Sequence, residues 1–310
     1  MGSAFASYDF VLPWKPGDLC ICGSGIELAL CCWQPEGFLR KRRKVVLPRP
    51  PITGIANAGC YLSQAQDCSK KLSREHYISK ALLERLPQPI LLTNLHWLEP
   101  NEVASYPLSA LTARILCDRH NNALSPLDVE ASLLFDAFLR IGSASAHGLQ
   151  QGKSWHAVSG ELIELWLLKT ACGLFYSGVG SANGVPLRNS SVLNCGDLPA
   201  LFASELPAPC GLYIRSKPGT TGNFNGKFSA ALLSNKYGVS GIQFVMSGIE
   251  LVLIISEDGV DFDLVRNTHM FRPGGLAFQF GKSRHNVVMT WPRPASGLIS
   301  LALGSATPDT

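Results

Sequence analysis

Residues suited to metal binding and proton transfer are concentrated in one stretch, from Cys60 to Asn122. Glu75 and His76 are adjacent, and Asn121 lies near the end of the stretch. A histidine with a pKa near neutrality can act as a general base. Carboxylate and amide oxygens from Glu75 and Asn121 suit Mg²⁺ or Mn²⁺. This combination predicts metal-assisted hydrolysis of a phosphodiester bond.

The chain has ten cysteines, and seven of them lie in the first 117 residues. Their spacing is typical of metal ligands rather than of a disulfide scaffold. Four of them form the pattern C-x-C-x8-C-C, with a Gly-Ser-Gly turn that lets the backbone fold over a metal. Four thiolates close a tetrahedral zinc site and leave no open position, so we predict a structural zinc held by Cys20, Cys22, Cys31 and Cys32.

The segment CICGSGIELALCC also resembles the SEC-C motif, a short zinc-binding module that many bacterial proteins carry. The match includes the Gly-Ser-Gly turn. In place of the usual lysine-rich middle, this chain has the apolar IELAL. That difference suggests that the module packs against its own protein rather than against a partner.

The stretches SREHYISKALL and ILCDRHNN together resemble the HNH endonucleases of the ββα-metal class. The resemblance covers roughly residues 60 to 128 and implies a role for each matching residue. Glu75 matches the acidic metal ligand, His76 the general base and Asn121 the metal ligand on the helix. A second structural zinc is implied, held by Cys60, Cys68, Cys117 and His120.

This chain departs from the family pattern in three places. Seven residues separate Cys60 and Cys68 where two are usual, His120 stands where a cysteine is usual, and Leu124 replaces a frequent lysine. None of these changes removes a catalytic group. An alternative assignment makes His120 a ligand of the catalytic metal and leaves the upstream cysteines reduced.

Short elements must position these residues. We predict a strand over residues 74–78, a helix over 79–86 that ends before Pro87, and a helix that starts near Cys117. Apolar residues at helical spacing after Ser125 and Pro126 predict a further helix, with Ser125 as its N-cap. A second, strongly apolar helix is predicted in GELIELWLLKTACGLFYSG.

From about Pro207 apolar and polar residues alternate, and Ser247-Gly248 supplies turn chemistry, which predicts an antiparallel sheet or small β-sandwich. The expected fold class is therefore α+β and multidomain. The predicted divisions are a zinc module with a basic linker over 1–45, a ββα-metal nuclease core over 46–145, and C-terminal helices plus antiparallel sheet over 146–310.

Composition limits the class of protein. Apolar residues make up 46% of the 310 residues and charged residues 16%, which suffices for buried cores. No apolar run reaches the roughly 20 residues of a membrane span, so we expect a cytoplasmic protein with no membrane partner. The net charge is +4, and the basic run RKRRK at 40–44 is either a phosphate contact or a solvated linker.

The sequence thus predicts an endonuclease that uses two structural Zn²⁺ and a catalytic Mg²⁺ or Mn²⁺. Family resemblance favours DNA over RNA as the substrate, and bacterial antiviral defence is the role suggested by analogy. Further phosphate contacts are expected from Lys70, Lys71, Arg74, Lys80 and Arg119. The C-terminal region is expected to bind a protein partner or a second copy of the chain. The rival prediction is a non-catalytic, zinc-scaffolded nucleic-acid- or protein-binding module.

Overall fold

The computed structural model describes residues 12–42, 44–146, 152–216, 227–258, 262–280, 282–295 and 297–302. Its class is mixed α+β, as predicted, with several separate sheets. The helices are α1 Lys80–Leu83, α2 Asp118–Ala146, α3 Gly160–Ser177, α4 Leu187–Ser190, α5 Leu198–Ala203 and α6 Phe262–Thr268. The strands are β1 Leu72–His76, β2 Ile90–Leu92, β3 Ala104–Tyr106, β4 Thr112–Cys117, β5 Lys153–Ser159, β6 Ser181–Ala182, β7 Val185–Pro186, β8 Gly211–Ser216, β9 Phe228–Asn235, β10 Gly238–Met246, β11 Ile249–Ile254, β12 Met270–Phe271, β13 Gly275–Phe280, β14 Ser283–Thr290 and β15 Ile299–Ala302.

A β-hairpin followed directly by a helix carries the predicted active-site residues. Strands β1 and β4 pair antiparallel, with Glu75 opposite Ala113 and His76 opposite Thr112. Helix α2 begins at the residue after β4. Helix α1 and the β2–β3 hairpin are inserted between the two strands of this ββα unit. The observed strand begins two residues before the predicted 74–78, and α1 is shorter than the predicted 79–86.

Helix α2 runs through Pro126 without ending, so the prediction of a separate helix with Ser125 as its N-cap is wrong. Proline has no N–H and leaves the carbonyl four residues earlier, that of Asn122, without its usual donor. The Ser125 hydroxyl donates to this Asn122 carbonyl at 2.8 Å. The serine therefore replaces the hydrogen bond that the proline removes, and the helix continues.

Helix α3 is the predicted apolar helix, and residues Gly160 through Phe175 are all buried. Its N-cap is Ser159, whose hydroxyl accepts from the N–H of Leu162, and its C-cap is Gly178 in the left-handed region. Buried charges need partners. Three buried charges on this helix each bind a different part of the chain: Glu161 pairs with Arg40, Glu164 with Arg272 and Lys169 with Glu75.

The C-terminal region contains two sheets. One is five-stranded and antiparallel, in the order β12-β8-β11-β10-β9, and Ser247-Gly248 forms the predicted turn between β10 and β11 with φ of 52° and 78°. The other has the order β15-β13-β14-β5. It is mixed, because β5 and β15 run parallel to their neighbours. The expectation of antiparallel pairing throughout is therefore wrong for this second sheet.

The cysteine-rich N-terminal segment at 12–42, part of the predicted zinc module, packs on this mixed sheet. Its buried residues Leu28 and Cys32 form one apolar cluster with Val288 of β14, and Trp155 of β5 packs against it. A larger core cluster extends from Val46 to Ile299 and includes residues on both sides of the predicted 145/146 division. None of the described helices is long and apolar enough to cross a membrane.

The Glu164–Arg272 pair gives a stability prediction. Arg272 donates to both Glu164 oxygens, at 2.7 and 3.0 Å, and Glu164 also accepts from the N–H of Leu212. Replacing Arg272 with methionine leaves a buried carboxylate without its cation, so we expect the free energy of unfolding to fall by about 3–5 kcal/mol at neutral pH. Denaturant titration measures this loss.

The pH dependence of that loss has a definite sign. Burial raises the pKa of Glu164 while the Arg272 guanidinium lowers it, so the variant raises this pKa further. A protonated Glu164 needs no cation, and the deficit of the variant should shrink as the pH falls. The matched control is Arg188→Met, since the exposed Arg188 donates to the Tyr176 and Ser177 carbonyls. A loss equal to that of the control would contradict the prediction.

Candidate metal centres and active site

The four N-terminal cysteines converge as their spacing predicts. The Cys22 sulfur lies 3.4 Å from that of Cys20 and 3.5 Å from that of Cys31, and Cys31 and Cys32 are 3.9 Å apart. All four sulfurs lie within 4.8 Å of one another. A tetrahedral zinc with Zn–S bonds of about 2.3 Å separates its sulfurs by about 3.8 Å. This N-terminal quartet can therefore hold a zinc-like ion.

The second quartet is formed by three cysteines and one histidine, all buried. The Nδ1 atom of His120 lies 3.5 Å from the sulfur of Cys60, 3.7 Å from that of Cys68 and 3.2 Å from that of Cys117. A tetrahedral zinc places sulfur and nitrogen ligands about 3.6 Å apart. This central quartet thus also has the geometry of a zinc-like site.

Backbone N–H groups donate to one sulfur in each quartet, an arrangement that suits thiolates bound to a metal. The Cys117 sulfur accepts from the N–H groups of Ser69 and His120, and the Cys32 sulfur accepts from that of Arg42. Burial raises the pKa of Cys117, but these donors outweigh it and the net pKa is lowered. Burial raises the pKa of Cys60 to about 12. A cation must therefore offset the cost of deprotonating this second thiol.

The central quartet fixes the ββα unit. Cys68 precedes β1, Cys117 ends β4, and His120 lies in the first turn of α2. Cys60 is attached to the same sheet, because the N–H of the next residue, Tyr61, donates to the Ile115 carbonyl of β4. With the ring nitrogen of His120 facing three sulfurs, the geometry favours His120 as a structural ligand over the alternative in which it binds the catalytic metal.

Glu75 lies near Asn121 at the start of α2. Its carboxylate is 2.8 Å from the ammonium of Lys169. The Lys169 ammonium in turn lies 2.7 Å from the carboxylate of Asp128, which follows Asn121 by seven residues on α2. Burial raises the pKa of Glu75, while Lys169 and Asn121 act to lower it. The carboxylate is thus buried and already paired with a cation.

His76 ends strand β1 and is half-buried. Its Nε2 is buried and has no hydrogen-bond partner among the residues that the structure describes. Burial lowers the pKa of His76, and the backbone of Leu108 acts in the opposite direction. A ring that is neutral at physiological pH is suited to accept a proton, and a small movement must first expose this nitrogen to water.

Several basic residues expected at phosphates are bound within the protein instead. Arg119 binds both oxygens of Asp67, and Arg40 and Lys41 of the basic run bind the carboxylates of Glu161 and Glu130. Lys41 is 5% exposed, which removes it from any surface contact. Arg43 lies outside the described residues. Lys70 and Arg74 are exposed, whereas Lys71 pairs with Asp118 and Lys80 with Glu84.

A cleft of about 540 Å³ lies beside the ββα unit. It is lined by Arg114, which follows the residue opposite Glu75, and by Arg188, together with polar side chains that include Ser63, Gln64 and Ser177. Among the described lining residues there is no carboxylate. Its charge suits an anionic group such as a phosphate.

Comparison of the chain with protein-family models, with characterised proteins and with solved structures finds no match.

The sequence alone did not indicate Lys169 and Asp128 as part of this site. The available signal was a single lysine within the apolar run of α3, because a charge in a fully buried helix requires a partner. Asp128 carried the weaker signal of lying seven residues after Asn121, which places both on one face of α2.

Proposed function

We propose that this protein is a metal-dependent endonuclease of the HNH type, stabilised by two structural zinc ions. The observation that carries the proposal is the central quartet, which joins β1, β4 and α2 and is followed directly by Asn121. Asn121 lies near Glu75, and Glu75 is adjacent to His76. The order of residues in the chain and their placement on a ββα unit both agree with this function.

The roles of the residues follow from their chemistry. His76 accepts the proton of the water that attacks the phosphate. Glu75 and Asn121 supply the oxygen donors that Mg²⁺ or Mn²⁺ prefers, and the proximity of the two side chains supports a shared ion. When bound, the ion would offset negative charge on the phosphate and on the leaving oxygen. The zinc ions keep the three side chains in place.

We propose nucleic acid, with DNA favoured over RNA, as the substrate. Exposed Lys70 and Arg74 and the Arg114–Arg188 cleft supply positive charge beside the ββα unit. The thiolates of both quartets require a reducing compartment, which supports a cytoplasmic location. Defence against foreign DNA and a partner for the C-terminal sheets remain parts of the proposal that rest on analogy.

A nicking assay tests the proposed activity. The purified chain with its zinc is incubated with supercoiled plasmid, single-stranded DNA or RNA, in Mg²⁺, in Mn²⁺ or in EDTA at a dose that leaves the zinc in place. We expect nicking of the plasmid in Mg²⁺ or Mn²⁺ and none in EDTA. Preferential cleavage of RNA would show that RNA, and not DNA, is the substrate. No cleavage of any substrate with either ion would overturn the proposal.

One observation favours a second function, a non-catalytic zinc-scaffolded module that binds nucleic acid or protein. The Glu75 carboxylate is paired with Lys169, so the acid that should bind the catalytic ion is already neutralised within the protein. For this function we expect DNA binding in a gel-shift assay without nicking in either divalent ion.

A further inference from the structure

Lys169 bridges two carboxylates that come from different parts of the ββα unit. Its ammonium lies 2.8 Å from Glu75 on β1 and 2.7 Å from Asp128 on α2. Lys169 is 5% exposed and Glu75 is 8% exposed, whereas the Asp128 side chain is 25% exposed. The ammonium is therefore enclosed, and solvent reaches the site from the Asp128 side.

The contacts of this site are specific rather than accidental. Asp128 also accepts a hydrogen bond from the Ser79 hydroxyl, and Ser79 accepts one from the indole N–H of Trp166 at 2.7 Å. Asn121 lies near Glu75 and adds an amide oxygen to the group. The ammonium holds both carboxylates, and the Ser79 hydroxyl also holds Asp128.

The negative charge of the site exceeds the positive charge of its one ammonium, so the site could attract a divalent cation. Two carboxylates face one ammonium, so the group carries one excess negative charge in a largely buried position. Three side chains here, Glu75, Asn121 and Asp128, offer oxygen atoms, and oxygen is the ligand type of Mg²⁺ and Mn²⁺. The Lys169 ammonium lies where such an ion would bind. It also neutralises part of the negative charge of Glu75 and Asp128 that would attract the ion.

We propose that Lys169 is an internal counter-ion at a divalent-cation site formed by Glu75, Asn121 and Asp128, and that the ion binds by displacing its ammonium. The inference rests on the proposed function for the identity of the ion and adds Asp128 as a ligand and Lys169 as its competitor. The site is therefore closed to Mg²⁺ and Mn²⁺ at low concentrations of the ion. Movement of Lys169 controls when the ion enters.

Binding of Mn²⁺ to the zinc-loaded protein, without nucleic acid, tests the inference. Free Mn²⁺ is measured from its electron paramagnetic resonance signal for the wild type, for Lys169→Met and for the surface control Lys236→Met. We expect Lys169→Met to bind Mn²⁺ at least ten-fold more tightly than the wild type, and the control to bind it equally. Asp128→Asn added to Lys169→Met should abolish most of the gain, because it removes one ligand.

Loss of the lysine also leaves two carboxylates without a cation, so the variant will be less stable in EDTA. Mn²⁺ should then raise the melting temperature of Lys169→Met more than that of the wild type, since an ion that binds only the folded state stabilises it. If Lys169→Met does not fold, Lys169→Gln, which keeps a donor, replaces it in both measurements, with a smaller increase in affinity expected.

The outcomes separate this inference from the proposed function. A folded Lys169 variant that binds Mn²⁺ no more tightly than the wild type overturns the inference, even if the wild type nicks DNA. A gain in Mn²⁺ affinity that Asp128→Asn abolishes supports the inference, even if no variant cleaves nucleic acid. In that second case the cation site stands and the nuclease proposal fails.

Discussion

Replacing Cys117 with serine is expected to reduce the zinc content from about two ions per chain to about one and to unfold the ββα unit. Structural zinc contributes about 10–16 kcal/mol to the folding of small zinc-finger peptides. That is comparable to the whole stability of a typical domain, about 5–15 kcal/mol. Elemental analysis measures the ions, and hydrogen exchange shows which segments lose protection.

The loss should be local at first, because the four ligands of the quartet join the segments of the ββα unit to one another. The unit consists of a two-stranded sheet and the start of one helix, and such a hairpin is marginally stable by itself. We expect faster exchange in β1, β4 and the first turns of α2, and slower change in α3.

Two cysteine variants serve as controls for this experiment. Cys195→Ser changes a half-buried cysteine that lies in neither quartet, so the zinc content should stay at about two. Cys31→Ser removes a ligand of the N-terminal quartet, so one ion should be lost while β1 and β4 keep their protection. If Cys117→Ser kept both ions and its thermal stability, the assignment of the central quartet would be wrong.

The parts of this site that the sequence predicted are those specified by local spacing. The N-terminal quartet lies within thirteen residues, Cys20 to Cys32, so its pattern alone limits the geometry. Helix α3 was predicted because its apolar run is longer than a typical strand. The grouping of Glu75 with Asn121 was predicted through resemblance to a known family, since nothing local links two residues on different elements.

The parts that could not be predicted depend on contacts between distant segments. Arg40 and Lys41 looked like a surface patch, yet their partners Glu161 and Glu130 lie 121 and 89 residues away. The parallel pairing of β5 with β14 was not predicted for the same reason, because the local sequence of a strand does not indicate a distant partner. The continuation of α2 through Pro126 has another cause: the hydroxyl of Ser125 donates to the carbonyl that the proline leaves without a donor.

Helix α3 explains why these distant contacts form one system. Its buried charges bind the basic segment after the zinc module, the β12–β13 connection of the C-terminal region and the ββα unit, through Glu161, Glu164 and Lys169. A displacement that breaks one of these buried pairs leaves a charge without its partner, so the three pairs couple the helix to three segments. The helix therefore sets the position of Glu75 relative to the rest of the chain.

Replacing His76 with alanine is expected to lower the rate of DNA nicking about 10²- to 10⁴-fold, the usual contribution of a positioned general base. The zinc content should remain at about two, because His76 lies outside both quartets. The matched control is His96→Ala, whose ring packs against Trp97 at 4.6 Å and should leave the rate within a few-fold of the wild type. Equal rates for the two variants would remove His76 from the mechanism.

The pH profile gives an independent test of the same residue. A general base must be unprotonated, so the rate should be constant at high pH and fall as the pH drops through the pKa of His76. Burial lowers this pKa, so the fall should lie below the usual histidine value of about 6.5. Zinc must be measured at each pH, because protons also compete for His120 and the thiolates. A fall above pH 6.5 with both zinc ions retained would assign the titration to another group. A fall below it that disappears from the residual rate of His76→Ala would assign the titration to His76.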